Sequence, residues 1–421
     1  MKMVNIIIDG KTYKAPENMG LIEAAKNNGI VIPSLCHFEH IDPPLSTCRT
    51  CMVRVKGAMR PACIVKVHEG LEVEVNSEEL LDLRKSIIEM MFAEGNHICP
   101  SCAKSGDCDL QHIGYQSGVR MSRFPHLFID RVIDFHPQRM VIDHNRCVKC
   151  MRCVEEVITD HGKKVFSFIS RGNGVKVGID YKEERNLTDD QAKEAMRICP
   201  TGAILVKGTS VAKPFGDRKY DFEPIKIKEA AMPEKDLKDN GKKKVVATAS
   251  LAGCFGCHMS MLDIDLGILD LLEVVEFNKS PLTDIKSFTK RCDIGLIEGG
   301  CCNAENVEAL IKLREMCDIL VSVGECSVWG GVPALRNTVP LEECLNEAYK
   351  FSITSENTEN IIPAHEDIPK ILDRVYACHE IVRIDHFIPG CPPSAQHIWG
   401  VVKGIISGKK PAVLYHDFKY D

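Results

Sequence analysis

The first half of the chain has the pattern of short strands joined to helices. Residues 4–75 alternate between apolar and polar positions, and an Asp9-Gly10 turn follows the first apolar run. A helix is predicted at about 20–28, and residues 78–93 and 189–197 repeat apolar positions with helical spacing. The pattern predicts a small domain of strands, then a helix, then a mixed region.

The second half has the pattern of a parallel sheet. Three buried-strand patterns, VVATASL, IGLIEGG and DILVSVGE, alternate with helices predicted at roughly 261–272 and at 304–315. Apolar strands that alternate with helices are typical of a parallel sheet covered on both faces. Residues 352–369 are polar and are predicted to be loop-rich.

A charged segment separates the two halves. Residues 221–244 contain proline, many charges and a final lysine run, which favours a solvated linker between domains. A chain of 421 residues has room for about three domains, because one domain typically takes about 100–200 residues.

Composition narrows the class of protein. A hydrophobic share of 44% and a charged share of 27% fit a soluble globular protein, and a net charge of −6 with 6% aromatic residues argues against a nucleic acid partner. No signal peptide and no apolar run long enough for a membrane span are visible. A cytoplasmic location is therefore predicted. Disulfides are rare there, so the 21 cysteines are predicted to be metal ligands or small core residues.

Fifteen of the 21 cysteines fall into four sets with different spacings. We call them the first to fourth cysteine sets. They are Cys36, Cys48, Cys51 and Cys63; Cys99, Cys102 and Cys108; Cys147, Cys150, Cys153 and Cys199; and Cys254, Cys257, Cys326 and Cys391. Thiolates at such spacings are typical iron–sulfur ligands, and a row of clusters in one polypeptide moves electrons.

The first set suits a [2Fe–2S] cluster. Its central pair, Cys48 and Cys51, is separated by two residues, and each outer cysteine stands alone. Plant-type ferredoxins also combine a close pair with a remote cysteine, although their first gap is shorter. Zinc is the alternative, but zinc ribbons usually contain two Cys-x2-Cys pairs, so iron–sulfur ranks above zinc.

The second set is one ligand short of a [4Fe–4S] site. His97, just upstream of Cys99, is the first candidate for the fourth ligand, because a neutral imidazole can replace a thiolate. The alternatives are that His112 is the ligand, or that another group completes the site and His97 is only a loop residue.

The third set is predicted to hold a single [4Fe–4S] cluster. Cys147, Cys150 and Cys153 have the Cys-x2-Cys-x2-Cys spacing of bacterial ferredoxins. In two-cluster ferredoxins a fourth cysteine would follow where Val157 stands here. The other cysteines of a second cluster are missing, so Cys199 is predicted to close this site.

The fourth set follows apolar stretches of the predicted parallel sheet. Ligands of open α/β sheets bind at the carboxyl ends of strands, so these thiols are predicted to converge there and hold a [4Fe–4S] cluster. The alternative for any single cysteine is a small buried core residue. Core packing is favoured for the remaining six: Cys292, Cys301, Cys302, Cys317, Cys344 and Cys378. For Cys301 and Cys302, which follow a strand end, contact with the cluster is the alternative.

No catalytic residue is predicted in this chain. No GxGxxG motif follows a strand, and residues 404–410 lack the spacing and the hydroxyl residue of a phosphate-binding P-loop. No Ser-His-Asp or paired-carboxylate arrangement can be argued. The pattern therefore predicts a conductor of electrons without a reaction centre of its own.

The motifs resemble two hydrogenase subunits. Residues 1–222 resemble the iron–sulfur subunit of the diaphorase module in soluble NAD-reducing [NiFe] hydrogenases, through SLCHFEH, EGNHICPSCAKSGDCDLQ, RCVKCMRC and CPTGAILVKG. They are also similar to the large iron–sulfur subunit of respiratory complex I. In that subunit a histidine ligand stands at the position that Gly95 occupies here. Residues 244–421 resemble the small subunit of the same hydrogenases, through LAGCFGCHMSMLDID, GECSVWGGVPALRN and PGCPPS. The two subunits are usually separate chains and are fused here.

We expect five segments. They are a β-grasp [2Fe–2S] ferredoxin-like domain at 1–76, a small helical three-Cys/one-His [4Fe–4S] domain at 77–135, a ferredoxin-like α+β [4Fe–4S] domain at 136–222, a linker at 223–243, and a C-terminal flavodoxin-like α/β domain with a parallel sheet at 244–421. The expected cofactors are one [2Fe–2S] and three [4Fe–4S] clusters.

The resemblance also implies a function. Dihydrogen would be split at a nickel–iron centre in a separate large subunit, and electrons would enter at the fourth set. They would leave to a flavoprotein partner that holds FMN and NAD(P). The alternatives are an electron-bifurcating complex with ferredoxin as a second acceptor through the partner, a hydrogen-sensing regulatory subunit, and a structural zinc protein.

Overall fold

The computed structural model describes residues 2–129, 131–214, 217–218, 243–354, 356–357 and 359–408. Contacts divide the chain into two units, Met1–His97 with Cys102–Tyr220, and Ile98–Ser101 with Asp221–Asp421. The predicted linker at 223–243 lies outside the described residues except for Lys243. Within the described ranges, no helix has both the length and the apolar character that crossing a membrane requires.

A five-stranded mixed sheet opens the first unit. Its strands are Met3–Ile8, Lys11–Pro16, Met52–Val55, Ala58–Pro61 and Leu71–Glu74 (β1–β5), in the order β2-β1-β5-β3-β4. β1 and β5 are parallel, and the other neighbours are antiparallel. Ile6 and Ile8 of β1 pack with Leu71 and Val73 of β5 and with helix α1 (Leu21–Asn27). The strand alternation and the helix predicted here are confirmed.

The rest of the first unit combines helices with small sheets. Helices α2–α6 are Glu78–Glu94, Asp109–Gln116, Arg152–Glu156, Tyr181–Arg185 and Asp189–Ile198. Strands β6–β10 are Ile133–Asp134, Met140–Asp143, Phe166–Ile169, Lys176–Ile179 and Ile204–Val206. β10, β7 and β6 form an antiparallel sheet, and β8 pairs with β9. The helices predicted at 78–93 and 189–197 are confirmed as α2 and α6.

Local signals fix the ends of α6. Thr188 and Gln191 form a capping box, in which each side chain accepts a hydrogen bond from the main chain of the other residue. The helix ends at Ile198, and Cys199 of the third cysteine set is its C-cap residue. Short 3₁₀ helices lie at Ala62–Ile64, Cys99–Ser101, His144–Arg146, Gly172–Gly174 and Val332–Thr338.

The second unit contains a five-stranded parallel sheet. Strands β11–β17 are Lys244–Ser250, Val275–Phe277, Cys292–Glu298, Cys301–Asn303, Cys317–Val323, Ile371–Tyr376 and His386–Ile388. The sheet has the order β12-β11-β13-β15-β17, and β14 pairs separately with β16. Counted along the chain, this is the strand order 2-1-3-4-5 that flavodoxin-type sheets have.

Helices cover both faces of this sheet. Helices α7–α13 are Gly256–Leu262, Gly267–Val274, Ala304–Met316, Glu325–Trp329, Leu341–Tyr349, Cys378–Ile381 and Ala395–Ile406. Ile294 and Val321 pack with Trp399 of α13 on one side, while Ile297 packs with Leu310 of α9 on the other. The predicted parallel sheet with helices on both faces is confirmed.

The prediction of a single helix at 261–272 is wrong. The structure has two shorter helices instead, α7 and α8. Asp265, between them, has a φ of 51°, a left-handed conformation that a continuous α-helix does not contain. α7 begins at Gly256, so it carries Cys257 of the fourth cysteine set.

Candidate metal centres

The four thiols of the first set lie together in the first unit and are buried. Cys36 lies in the loop after α1, Cys48 and Cys51 precede β3, and Cys63 lies in the 3₁₀ helix after β4. Cys36 is in hydrogen-bond contact with Cys48 and Cys63, and Cys63 also contacts Cys51. The bond with Cys36, followed by burial, raises the pKa of Cys48, whereas the bond with Cys63 lowers the pKa of Cys51.

Neighbouring polar groups also approach this set. The Leu35 N–H donates to Cys48 Sγ at 3.4 Å, and the Thr50 hydroxyl lies 3.2 Å from the same sulfur. Donors to sulfur favour its ionised form. They are also one of the means by which a protein sets the reduction potential of an iron–sulfur cluster.

The four cysteines of the third set line one cavity. Cys147, Cys150, Cys153 and Cys199 surround it, together with apolar side chains from β7, β9 and β10. The space between them, including its open mouth, is about 380 Å³. Burial raises the pKa of Cys147 to about 11, and it also raises the pKa of Cys150. Thiols that are distant in the sequence thus face one another in an apolar pocket.

Two cysteines of the second set lie near each other at the start of α3. Cys108 caps this helix, and the Gln111 N–H donates to its Sγ at 3.5 Å. Cys102 Sγ accepts from Arg146 Nη1 at 3.3 Å and from the Lys104 N–H at 3.4 Å. Burial, with a further contribution from the Cys102 charge, raises the pKa of Cys108 to about 12.

The remaining candidates of the second set are His97, Cys99 and the alternative ligand His112. Desolvation, followed by the charge of Arg146, lowers the pKa of His97 to about 3, so its imidazole is neutral at pH 7. Neutral imidazole is the form that binds metals. Cys99 lies in a 3₁₀ helix that groups with the second unit. His112, the alternative ligand, lies on α3.

The third set contacts both other sets of the first unit. On one side, the Thr47 hydroxyl, next to Cys48, donates to the Cys150 carbonyl at 3.1 Å. On the other side, Cys108 Sγ lies 3.6 Å from the carbonyl oxygen of Pro200, the residue that follows Cys199. Segments of the third set thus contact segments of the first and of the second.

The fourth set gathers at the carboxyl edge of the parallel sheet. Cys254 and Cys257 follow β11, Cys326 follows β15, and Cys391 follows β17. Cys257 is close enough to interact electrostatically with Cys326 and Cys391. Cys326 interacts in the same way with Cys391 and Cys254. Burial, followed by the charge of Cys391, raises the pKa of Cys326 to about 12.

Hydrogen bonds from main-chain N–H groups join the loops of this edge. The Glu325 N–H donates to the Gly390 carbonyl at 2.8 Å, and the Gly390 N–H donates to Glu325 Oε1 at 3.2 Å. Gly324 has a φ of 85°, and a Cβ at this position would collide with the Cys257 sulfur. Only glycine allows the chain this close to the candidate ligand.

A buried acidic residue beside Cys257 was missed by the sequence analysis. Glu298 lies at the end of β13, and its Oε1 is 2.8 Å from His258 Nδ1. Its Oε2 accepts a hydrogen bond from the main-chain N–H of His258 at 3.1 Å. The Cys257 thiol is also hydrogen-bonded to Glu298. Burial raises the pKa of Glu298, but the contacts with His258 outweigh it and hold that pKa below its usual value. An acidic residue that closes an apolar strand at a ligand-binding edge was the available signal.

Other contacts to the sets had no signal in the sequence. Arg146 is 44 residues from Cys102, and Thr47 is 103 residues from Cys150. Spacing along the chain does not reveal such pairs.

Four further cysteines are buried core residues. Cys292 lies opposite Cys317 in the parallel sheet, and the free thiols of Cys301 and Cys378 are hydrogen-bonded to each other.

The donor chemistry fits iron–sulfur clusters. Thiols must lose their protons to bind metal, and burial raises the pKa of Cys108, Cys150 and Cys326, each from a different set. The ionised form therefore requires a positive centre among the sulfurs, which an iron core supplies. Among the described residues, no three His, Cys, Asp or Glu side chains are arranged for a single metal ion.

Four known families match successive parts of the chain. Residues 1–78 match the 2Fe-2S iron-sulfur cluster binding domain, and residues 84–123 match the NADH-ubiquinone oxidoreductase-G iron-sulfur binding region. Residues 138–205 match the ferredoxin-like domain of NADH-quinone oxidoreductase subunit 3, and residues 254–405 match the NADH ubiquinone oxidoreductase 20 Kd subunit. Each cysteine set lies inside one matched region.

Two relatives come from Cupriavidus necator. The NAD-reducing hydrogenase HoxS subunit gamma is 44% identical over 227 residues, which cover 53% of this chain and 96% of the relative. The subunit delta of the same enzyme is 51% identical over 170 residues, which cover 40% of this chain and 81% of the relative.

A solved structure also matches. It is a crystal structure of NAD+-reducing [NiFe]-hydrogenase in the H₂-reduced state, with 46% identity and a TM-score of 0.41 over 43% of this chain and 100% of the other. The identity to both Cupriavidus subunits, over most of the length of each, decides the family. The chain belongs to the family of NAD-reducing hydrogenase subunits, and it joins a gamma-like and a delta-like region in one polypeptide.

Proposed function

We propose that this chain carries electrons between a nickel–iron large subunit, where dihydrogen is oxidised, and a flavoprotein that reduces NAD(P). The four cysteine sets, with His97 completing the second, would hold one [2Fe–2S] and three [4Fe–4S] clusters. When bound, these clusters take up and release single electrons. The fourth set faces the large subunit in this proposal, and the first set faces the flavoprotein.

One observation carries the proposal most strongly. Cys147, Cys150, Cys153 and Cys199 come from separate parts of the chain and line a single cavity. Four thiols around an apolar space suit a four-iron cluster.

The contacts between sets suggest their order along the path. The third set contacts the first through Thr47 and the second through Pro200. We therefore place the third set between the [2Fe–2S] site and the three-Cys/one-His site.

The protein's own part is to bury the sulfurs and to direct donors toward them. Leu35, Arg146 and Gln111 donate to ligand sulfurs of the first two sets. Such bonds and burial are the means by which the protein sets each reduction potential. In the fourth set, the bonds between Glu325 and Gly390 hold the loops that carry Cys326 and Cys391 next to each other.

Several finer statements belong to the same proposal. The strand orders support a β-grasp fold for the first domain and a flavodoxin-like fold for the last. The boundaries at 76, 135 and 222 and the cytoplasmic location stay predictions. An electron-bifurcating complex, with ferredoxin as a second acceptor, is an alternative whose deciding chemistry belongs to the flavoprotein partner.

Anaerobic affinity purification of the full chain from its native host tests the partners. We expect it to retain one subunit with nickel and one with FMN, and the eluate to reduce NAD or NADP with dihydrogen. Recovery of the iron-loaded chain without nickel and flavin would contradict the proposed partners. Added ferredoxin as an obligatory second acceptor would favour the bifurcating alternative.

A further inference from the structure

Lys104 is a fully buried lysine between two candidate cluster sites. It is 2% exposed. Lysine is almost never fully buried unless its charge is paired, because moving an ammonium out of water is costly. Its place in the sequence, two residues after Cys102, gives no sign of this burial.

The ammonium group is held at the end of α6. Lys104 Nζ donates to the Met196 carbonyl at 2.6 Å and to the Cys199 carbonyl at 2.7 Å. The last carbonyls of a helix lack partners within the helix and carry partial negative charge, so a cation is favourable there. Lys104 therefore fixes the end of the helix that presents Cys199 to the third set.

These bonds do not neutralise the charge. No carboxylate of the described residues lies within the 4.0 Å limit of an ion pair with Lys104. The two carbonyl oxygens satisfy hydrogen bonds of the ammonium, but they carry no formal charge that would neutralise it. The thiols of the two cysteine sets that Lys104 joins become anionic when they bind metal. The Lys104 N–H itself bonds Cys102 Sγ of the second set, and its ammonium bonds the Cys199 main chain of the third.

We infer that Lys104 is a positioning residue whose buried charge raises the reduction potential of the third site and, less strongly, of the second. The inference rests on the proposed cluster sites. Reduction adds one electron and no proton to the site, and a fixed cation nearby stabilises the added negative charge. Because the group is buried, salt and water screen this attraction little. The effect is larger at the third site, since the ammonium contacts a ligand residue of that site directly.

Redox titration of the purified complex, followed by electron paramagnetic resonance, tests the inference. Lys104→Met removes the charge and replaces lysine with an apolar side chain of similar length, whereas Lys104→Arg keeps the charge. Lys193→Met is the matched control, since it removes a cation from α6, the helix that Lys104 contacts, at a side chain that is 60% exposed. The Lys104→Met variant should shift the one-electron equilibrium of the third site toward the oxidised form about tenfold, which is about 59 mV. The second site should shift in the same direction by less, and the Lys104→Arg and Lys193→Met variants should keep both potentials.

Two results would overturn the inference. One is an iron-loaded Lys104→Met variant with unchanged potentials, which would make Lys104 only a helix cap. The other is loss of iron from the third site in both Lys104→Met and Lys104→Gln, which would make it a residue needed for folding. Absence of iron from the unaltered chain would instead overturn the proposed function and this inference together.

Discussion

At the scale of single residues, the surroundings of a cysteine separate candidate ligands from packing residues. Cys150 faces three other thiols across a cavity, whereas Cys292 lies opposite Cys317 within the parallel sheet. Both Cys150 and Cys292 are buried. Burial alone therefore does not identify a ligand, while convergence of four thiols on one space does.

Replacement of one ligand should remove one cluster. Cys150→Ser exchanges a soft thiolate for a hydroxyl, which is a poor ligand for an iron–sulfur core. We expect the variant to lose the iron of the third site, about four atoms per chain, while the other sites keep theirs. Iron analysis and electron paramagnetic resonance of the anaerobically purified chain measure both effects.

Cys292→Ser is the matched control for this variant. It makes the same chemical change at a buried cysteine of the second unit. We expect it to keep its full iron content. Equal iron contents in the two variants would show that convergence of thiols in the structure does not mark the ligands.

At the scale of elements, the fourth set depends on the turns after parallel strands. The connection between β15 and α10 passes through Gly324, whose φ of 85° other residues rarely adopt. This turn brings α10, with Cys326, beside the Cys257 sulfur. The short turns bring their thiols to the same edge because the carboxyl ends of parallel strands lie side by side.

Gly324→Ala should disrupt the fourth site selectively. Its Cβ meets the Cys257 sulfur, and its backbone is strained in the left-handed region, so Cys257 or Cys326 must move. We expect loss of the iron of the fourth site, with normal signals from the first three. Iron per chain and the paramagnetic signals of each site provide the measurement.

Gly400→Ala controls for the general cost of replacing a glycine. A Cβ there has no heavy atom within 4 Å, and Gly400 lies inside α13, where alanine is the better helix former. We expect full iron content and a free energy of unfolding higher by about 0.5–1 kcal/mol. A Gly324→Ala variant with the same iron content as this control would contradict the role of the turn.

Periodic elements could be predicted from the sequence, and contacts between distant segments could not. α2, α6 and α9 follow their apolar spacing closely. The break between α7 and α8 depends on the backbone conformation of Asp265, which apolar spacing does not encode. Cysteine spacing indicated the four sets, but the bond from Lys104 to Cys199 joins residues 95 positions apart and emerges only on folding.

At the scale of the whole molecule, two subunit types of one enzyme family are joined in one polypeptide. The gamma-like region has three candidate cluster sites, and the delta-like region has the fourth. A covalent connection raises the effective concentration of one region near the other. Because the two regions are one polypeptide, each complex receives them in a one-to-one ratio, and with them all four candidate sites.

Anaerobic analysis of iron and zinc in the purified chain tests the four-cluster assignment most directly. One [2Fe–2S] and three [4Fe–4S] clusters predict about 14 iron atoms per chain and almost no zinc. Zinc in place of iron, or about ten iron atoms or fewer per fully reconstituted chain, would contradict the assignment.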